Sequence, residues 1–303
     1  MNVCRAFSDF IVGLLAILGF EEELLLQEDP FILTIKRGVL CMQREEYDKA
    51  ELILHTALKQ AQNLMHEKAE TYILAVLANV AFEKKDYKKC ETLYKTVLSR
   101  VLSKGIKEDD ESVIAMSLKL AKIYSEKHEF ENAEHGFSFC LRHQSNRLQS
   151  IDVNAKLTDE EINSVALWGQ ILDWYSKHLL LRGDKQSALK YANDAFHIAV
   201  TVKGMNDSHT ITLLNDLGSI YNDANQFEKA IECYNKAVKL GEINDSEHLA
   251  TYYHNLGVCY LHAMNKELAR TACQSSLRIA KQDKNVNMQT MAKECLRKCE
   301  ETV

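Results

Sequence analysis

The sequence predicts an all-α protein, a solenoid of about six antiparallel helix hairpins closed by a C-terminal capping helix, and three observations carry that expectation. One proline and eleven glycines in 303 residues, with 46% hydrophobic residues and plentiful Leu, Ala, Lys and Glu, suit helices better than turn-rich sheets. The stretch EEYDKAE (45–51) returns as KDYKKCE (85–91), HEFENAE (128–134) and NQFEKAIE (225–232). Anchored on its small residue, six copies stand at Ala50, Cys90, Ala133, Ala188, Ala230 and Ala269, spaced by 40, 43, 55, 42 and 39 residues, which is a repeat with variable insertions.

Each copy resolves into two helices. Twelve residues before the anchors lie Gly38, Ala78, Ala121, Ser176, Gly218 and Gly257, every one of them small; four after lie Leu54, Tyr94, Phe137, Ala192, Tyr234 and Cys273. Offsets of three, four and seven residues mark one helical face. The polar tip between is a short turn, and small residues on both sides let the two backbones approach.

In chain order, copy one has Arg37 before its glycine and Tyr47 at its tip, and copies two and three keep Tyr87 and Phe130. Copy four, near 169–202, carries Lys185 in place of the aromatic. The long gap before it holds LTDEEINSVALWG (157–169), where Thr158 and Glu161 form a capping box for a new helix start. Copy five restores the aromatic with Phe227, and copy six has Lys266. Then VNMQTMAKECLRKCEE (286–301) places Met288, Met291, Cys295 and Cys299 along one face of a final helix that covers the end of the stack.

The formal charge of −6 is spread along the chain, and the acidic clusters EEE (21–23) and EDDE (108–111) read as solvated. The one dense basic group, KKDYKK (84–89), straddles a turn and lacks interleaved aromatics beyond Tyr87, a poor nucleic-acid footprint. Nine cysteines show no C-x-x-C and no spacing of a disulfide framework or zinc site; Cys41, Cys90, Cys140 and Cys273 fall at packing positions, and Cys295 and Cys299 read as a packing pair on the last helix. A reducing compartment, or one where single thiols survive, is expected. No phosphate-binding glycine loop and no H-E-x-x-H occurs, and HEFEN (128–132) sits on a repeat turn. No catalytic residue, metal or cofactor is assigned.

LNDLGSIYNDANQFEKAIECYNKAVKL (214–240), with Leu217, Gly218, Tyr221, Ala230, Tyr234 and Ala237 at signature spacing, resembles the tetratricopeptide repeat family, and HNLGVCYLHAMNKELARTACQSSL (254–277) supports it. The resemblance implies a right-handed α-solenoid whose first helices line a concave groove for a peptide or partner helix. Asn79, Lys122, Asn215, Ser219, Asn222 and His254 are the candidate partner-binding residues of that groove. A subclass that clamps chaperone tails wants a lysine and an asparagine where Asn215 and Ser219 stand, although Asn255 fits the next helix.

AELILHTALKQA (50–61) and KGIKEDDESVIAMSLKLAKIY (104–124) closely resemble a mitochondrial branch of that family, and the similarity runs from about residue 31 to the end. This resemblance implies a non-enzymatic inner-membrane protein that supports assembly and maintenance of respiratory complex III, the cytochrome bc1 complex, including clearance of N-terminal fragments of its Rieske iron-sulfur subunit. The branch also carries a hydrophobic segment and then an acidic stretch, as FIVGLLAILGF (10–20) and EEELLLQED (21–29) do here. Eleven residues fall short of the roughly 20 that span a bilayer. Residues 1–30 are therefore expected to be an apolar and acidic segment left from a membrane anchor, ahead of a repeat domain over 31–303. A cytosolic or midbody interaction adaptor is the alternative reading, and an enzyme such as a protease is the alternative from another class.

Overall fold

The computed structural model describes residues 30–149, 151 and 157–301. The apolar and acidic segments ahead of Pro30 lie outside the described residues. Among the described residues all regular structure is helical, in thirteen helices: α1 (Pro30–Gln43), α2 (Tyr47–Asn63), α3 (Glu67–Glu83), α4 (Tyr87–Ser103), α5 (Glu111–Glu126), α6 (Phe130–Leu148), α7 (Asp159–Leu181), α8 (Lys185–Lys203), α9 (Ser208–Asp223), α10 (Phe227–Ile243), α11 (Leu249–His262), α12 (Lys266–Gln282) and α13 (Val286–Glu300). Successive pairs from α1 to α12 are the six expected hairpins, and α13 is the expected last helix. The chain divides into two compact units after Leu167, with α7 beginning in the first and ending in the second.

Local chemistry sets the helix boundaries. Pro30 opens α1, where a missing N–H costs nothing. Asp86, Asp184 and Asn265 cap α4, α8 and α12 by accepting the backbone N–H three residues on, at 3.1, 3.1 and 3.2 Å. At the start of α7, Thr158 N–H donates to Glu161 at 2.8 Å and Glu161 N–H donates to the Thr158 hydroxyl at 3.3 Å, the capping box that the sequence predicts. Every hairpin tip contains one left-handed residue, in turn Glu45, Lys85, His128, Gly183, Asn225 and Met264.

Within a hairpin the two helices meet where the sequence leaves room. A Cβ on Gly38 would stand 2.7 Å from the Leu54 side chain, one on Gly218 2.9 Å from Tyr234, and one on Gly257 2.4 Å from Cys273 Sγ. In each case the small residue twelve before the anchor receives the side chain four after it. Ala250, early in α11, accepts from Ser276 late in α12, while Gly257 faces Ala269 and Cys273 nearer the start of α12, so the pair runs antiparallel.

In the first unit α3 is buried almost without interruption from Ala69 to Ala81, and α4 buries only Cys90, Tyr94, Val97 and Val101 along one stripe. The core follows that asymmetry, with Leu54, Tyr72, Ile73, Leu77, Tyr94 and Met116 among its fully buried members. In the second unit Leu217, Tyr234, Tyr252 and Cys259 play the same part.

The structure corrects two expectations about α13. Its buried face is Met288, Ala292, Cys295 and Cys299, while Met291 is half exposed, because the stripe steps four residues rather than three after Met288. Cys273 and Cys295 are not separate apolar packing residues: a disulfide joins them across α12 and α13, Cα to Cα 6.1 Å.

Candidate functional site

All six candidate groove residues stand on first helices of hairpins: Asn79 on α3, Lys122 on α5, Asn215, Ser219 and Asn222 on α9, and His254 on α11. Asn79, Asn215 and His254 are buried; Lys122, Ser219 and Asn222 are half-buried. Asn79 in the first unit and Asn215, Ser219 and Asn222 in the second join polar ladders; Lys122 lies over the Phe82 ring, and His254 stands apart.

The first-unit ladder centres on Asn79. Its Oδ1 accepts from the Tyr94 hydroxyl on α4 and from Lys119 Nζ on α5, the latter at 2.5 Å. Two donors at one oxygen fix the amide orientation and leave Asn79 Nδ2 buried without a hydrogen-bond partner. Lys119 and Lys122 both lie over the Phe82 ring, at 5.4 and 5.6 Å from its centroid. Burial pushes the Lys119 ammonium down to about 7, against the opposing field of Glu83.

In the second unit, Asn255 Nδ2 on α11 donates to Asn215 Oδ1 on α9 at 3.1 Å, and His262 Nδ1 shares a 2.9 Å hydrogen bond with Asn222 Oδ1. Ser219 accepts from the Tyr234 hydroxyl at 3.0 Å and donates to the Asn215 carbonyl at 3.3 Å. Lys177 on α7 is held between Asp173 and Asp216, 3.0 Å from each. Burial works to lower its pKa, but the two carboxylates outweigh it and hold it raised, at about 12. His254 is pushed down by burial and by Lys298, and its Nδ1 is buried without a hydrogen-bond partner.

These contacts share a spacing. Asn79 to Lys119, Asn215 to Asn255 and Asn222 to His262 are each 40 residues apart, close to the local repeat intervals of 43 and 39. Sequence reasoning missed Lys119, Lys177 and His262. Lys119 stands one helical turn before Lys122, the repeat equivalent of Asn79, and His262 stands one residue past the repeat equivalent of Asn222.

Two of the four lysines in the basic group at 84–89 are engaged by the preceding hairpin, while Lys85 and Lys88 are exposed. Lys84 pairs with Asp48 and Glu51 at 2.7 and 2.6 Å, and Lys89 with the same Glu51, which Lys84 and Lys89 hold at about 2. Those lysines are matched within the fold and present no bare cationic face to a phosphate backbone.

A family model described as tetratricopeptide repeat matches residues 209–282, which is α9 to α12. Tetratricopeptide repeat protein 19, mitochondrial, from Homo sapiens is 30% identical over 261 residues, covering 85% of this chain and 69% of that protein. The protein named tetratricopeptide repeat protein 19 homolog, mitochondrial, from Drosophila melanogaster is 29% identical over 286 residues, covering 94% and 76%. Among solved structures, BtubC (BKLC) from P. vanneervenii superposes with a TM-score of 0.63 at 18% identity over 79% of this chain and 92% of that one. A chain of the APC/C hetero-tetramer Cut9-Hcn1 gives 0.64 at 15% identity over 98% of this chain and 48% of that one. At those identities the structural likeness speaks for the fold.

Proposed function

Because the chain belongs to the family of the mitochondrial tetratricopeptide repeat protein 19, we propose that it is a non-enzymatic mitochondrial scaffold that binds partner protein through the polar ladders on its first helices. The observation that carries this reading is the repetition of side-chain hydrogen bonds between successive first helices at one-repeat spacing. A row of amides and ammonium groups at such spacing offers a partner backbone regular donors and acceptors, and the rings beside them give apolar footing. Of the six groove residues, half-buried Lys122, Ser219 and Asn222 make direct contact. Buried Asn79, Asn215 and His254 hold the helices that present them.

By the resemblance of residues 50–61 and 104–124, the partner is respiratory complex III, and the role is its assembly and maintenance, including clearance of Rieske subunit fragments. The scaffold acts at the inner membrane with residues 31–303 as its repeat domain and the apolar stretch ahead of Pro30 as its attachment. No described helix is long and apolar enough to cross a membrane.

The test is native electrophoresis of detergent-solubilised mitochondria from cells expressing the tagged chain with its own N-terminus. Co-migration with complex III is expected, and Lys122→Glu with Asn222→Ala should reduce it without moving the melting temperature. A tagged chain recovered wholly from soluble cytosol would sink the reading in favour of an adaptor outside mitochondria.

A further inference from the structure

At the end of the second unit three sulfurs converge. Cys273 projects from α12, and Cys295 and Cys299 lie one turn apart on α13, so both face the same neighbour. All three are buried, and their Sγ atoms lie within 4.8 Å of one another. Gly257 on α11 clears the space, since any side chain there would meet Cys273 Sγ at 2.4 Å. Only two of the three share the disulfide; Cys299 remains a thiol beside it.

A disulfide needs two sulfurs, and a packing position needs none. Three cysteines from two facing helices, with every sulfur within 4.8 Å of the others, become on reduction a chelating set within reach of one ion, which thiolates bind at about 2.3 Å. Among the described residues the group has these three donors and no fourth. A structural zinc site is closed by four ligands. Soft thiolates select monovalent copper as well as zinc, and monovalent copper is satisfied by three.

We propose that Cys273, Cys295 and Cys299, in reduced form, bind one Cu(I) ion and that the Cys273–Cys295 disulfide is the metal-free, oxidised state of the same site. A dithiol reductant supplies two electrons and two protons to open the disulfide and leaves as its own disulfide. One Cu(I) then displaces three thiol protons and forms three copper–sulfur bonds. In either state α13 stays fastened to α12, covalently when oxidised and through the metal when reduced.

The test uses the full chain, reduced with a dithiol that is then removed under anaerobic conditions, and titrated with Cu(I) against bicinchoninate as competitor. One equivalent should resist the competitor, with three sulfur neighbours in X-ray absorption. Cys299→Ser should weaken that binding by more than about 100-fold, beyond what the loss of a supporting hydrogen bond costs a metal site. Cys140→Ser, on a buried thiol of the other unit, should leave it unchanged. Should Cys299→Ser fail to fold, protection of the three cysteines from iodoacetamide in the wild-type chain, read peptide by peptide, decides the matter. Alkylation of Cys299 at equal rates with and without Cu(I) would overturn the proposal, as would tighter binding of Zn(II) with a fourth, non-sulfur ligand.

Discussion

Tyr234 occupies the space that a side chain at Gly218 would need, so at this crossing one absent Cβ sets how closely two helices approach. Gly218→Leu should destabilise the protein by about 1–3 kcal/mol through overpacking; an unchanged urea midpoint would mean that the crossing lies elsewhere. The third hairpin carries a less visible burden in Lys119. Burial depresses its pKa to about 7, so between that value and the ordinary lysine value the unfolded chain binds the extra proton. Stability therefore rises with pH across that window, with a slope of at most about 1.4 kcal/mol per pH unit from this group. Lys119→Met should flatten the rise between pH 7 and 10 and raise stability at pH 7, measured by urea denaturation at each pH. Sequence periodicity placed Lys119 on a first helix but could not reveal its burial, because the covering groups, Phe82 and Tyr94, come from the hairpin before it.

Helices and their turns were the most legible level. Offsets of twelve before and four after one small residue are set by the helix period and by close approach, both local in sequence, and all six hairpins appear where those offsets put them. Each tip also needs a left-handed residue, which four of the hairpins supply at Glu45, Lys85, His128 and Met264, where the side chain resists that conformation. Hairpin four supplies Gly183 instead, which frees it from the strain even though it lacks the tip aromatic. Met264→Gly should therefore stabilise the α11–α12 hairpin by up to about 1 kcal/mol, since Met264 is 83% exposed and packs against little. A fall in the thermal midpoint would show that the methionine contributes more by contact than its backbone costs. The α12–α13 disulfide was illegible because its 22-residue separation falls at no repeat interval. It depends on how the last helix is rotated against its neighbour.

Among the described residues the shifted carboxylates lean one way. Glu51, Glu91, Glu129, Glu161 and Asp184 all sit below their ordinary values through bonds to lysines or to capped backbone and side-chain groups. Such carboxylates contribute stability above the unfolded carboxylate range and lose it as pH falls through their folded values. His209 and buried His254 add to this, because their depressed values make the unfolded state the better proton acceptor below about 6.5. The denaturation midpoint should therefore climb from pH 3 to 5 and again as pH rises toward about 6.5, followed by circular dichroism; a maximum in acid would contradict the ion-pair network. The candidate site was legible only in part for the same reason as Lys119. The pattern identifies which residues stand on first helices, while the burial of Asn79, Asn215 and His254 depends on side chains distant in sequence. That one-repeat reach also governs how the chain folds. Since each hairpin closes over a few tens of residues and leans chiefly on its immediate neighbours, contact order is low, and structure can grow hairpin by hairpin within each unit. A chain emerging end-first from a ribosome or a narrow pore can thus bury its apolar faces as they appear.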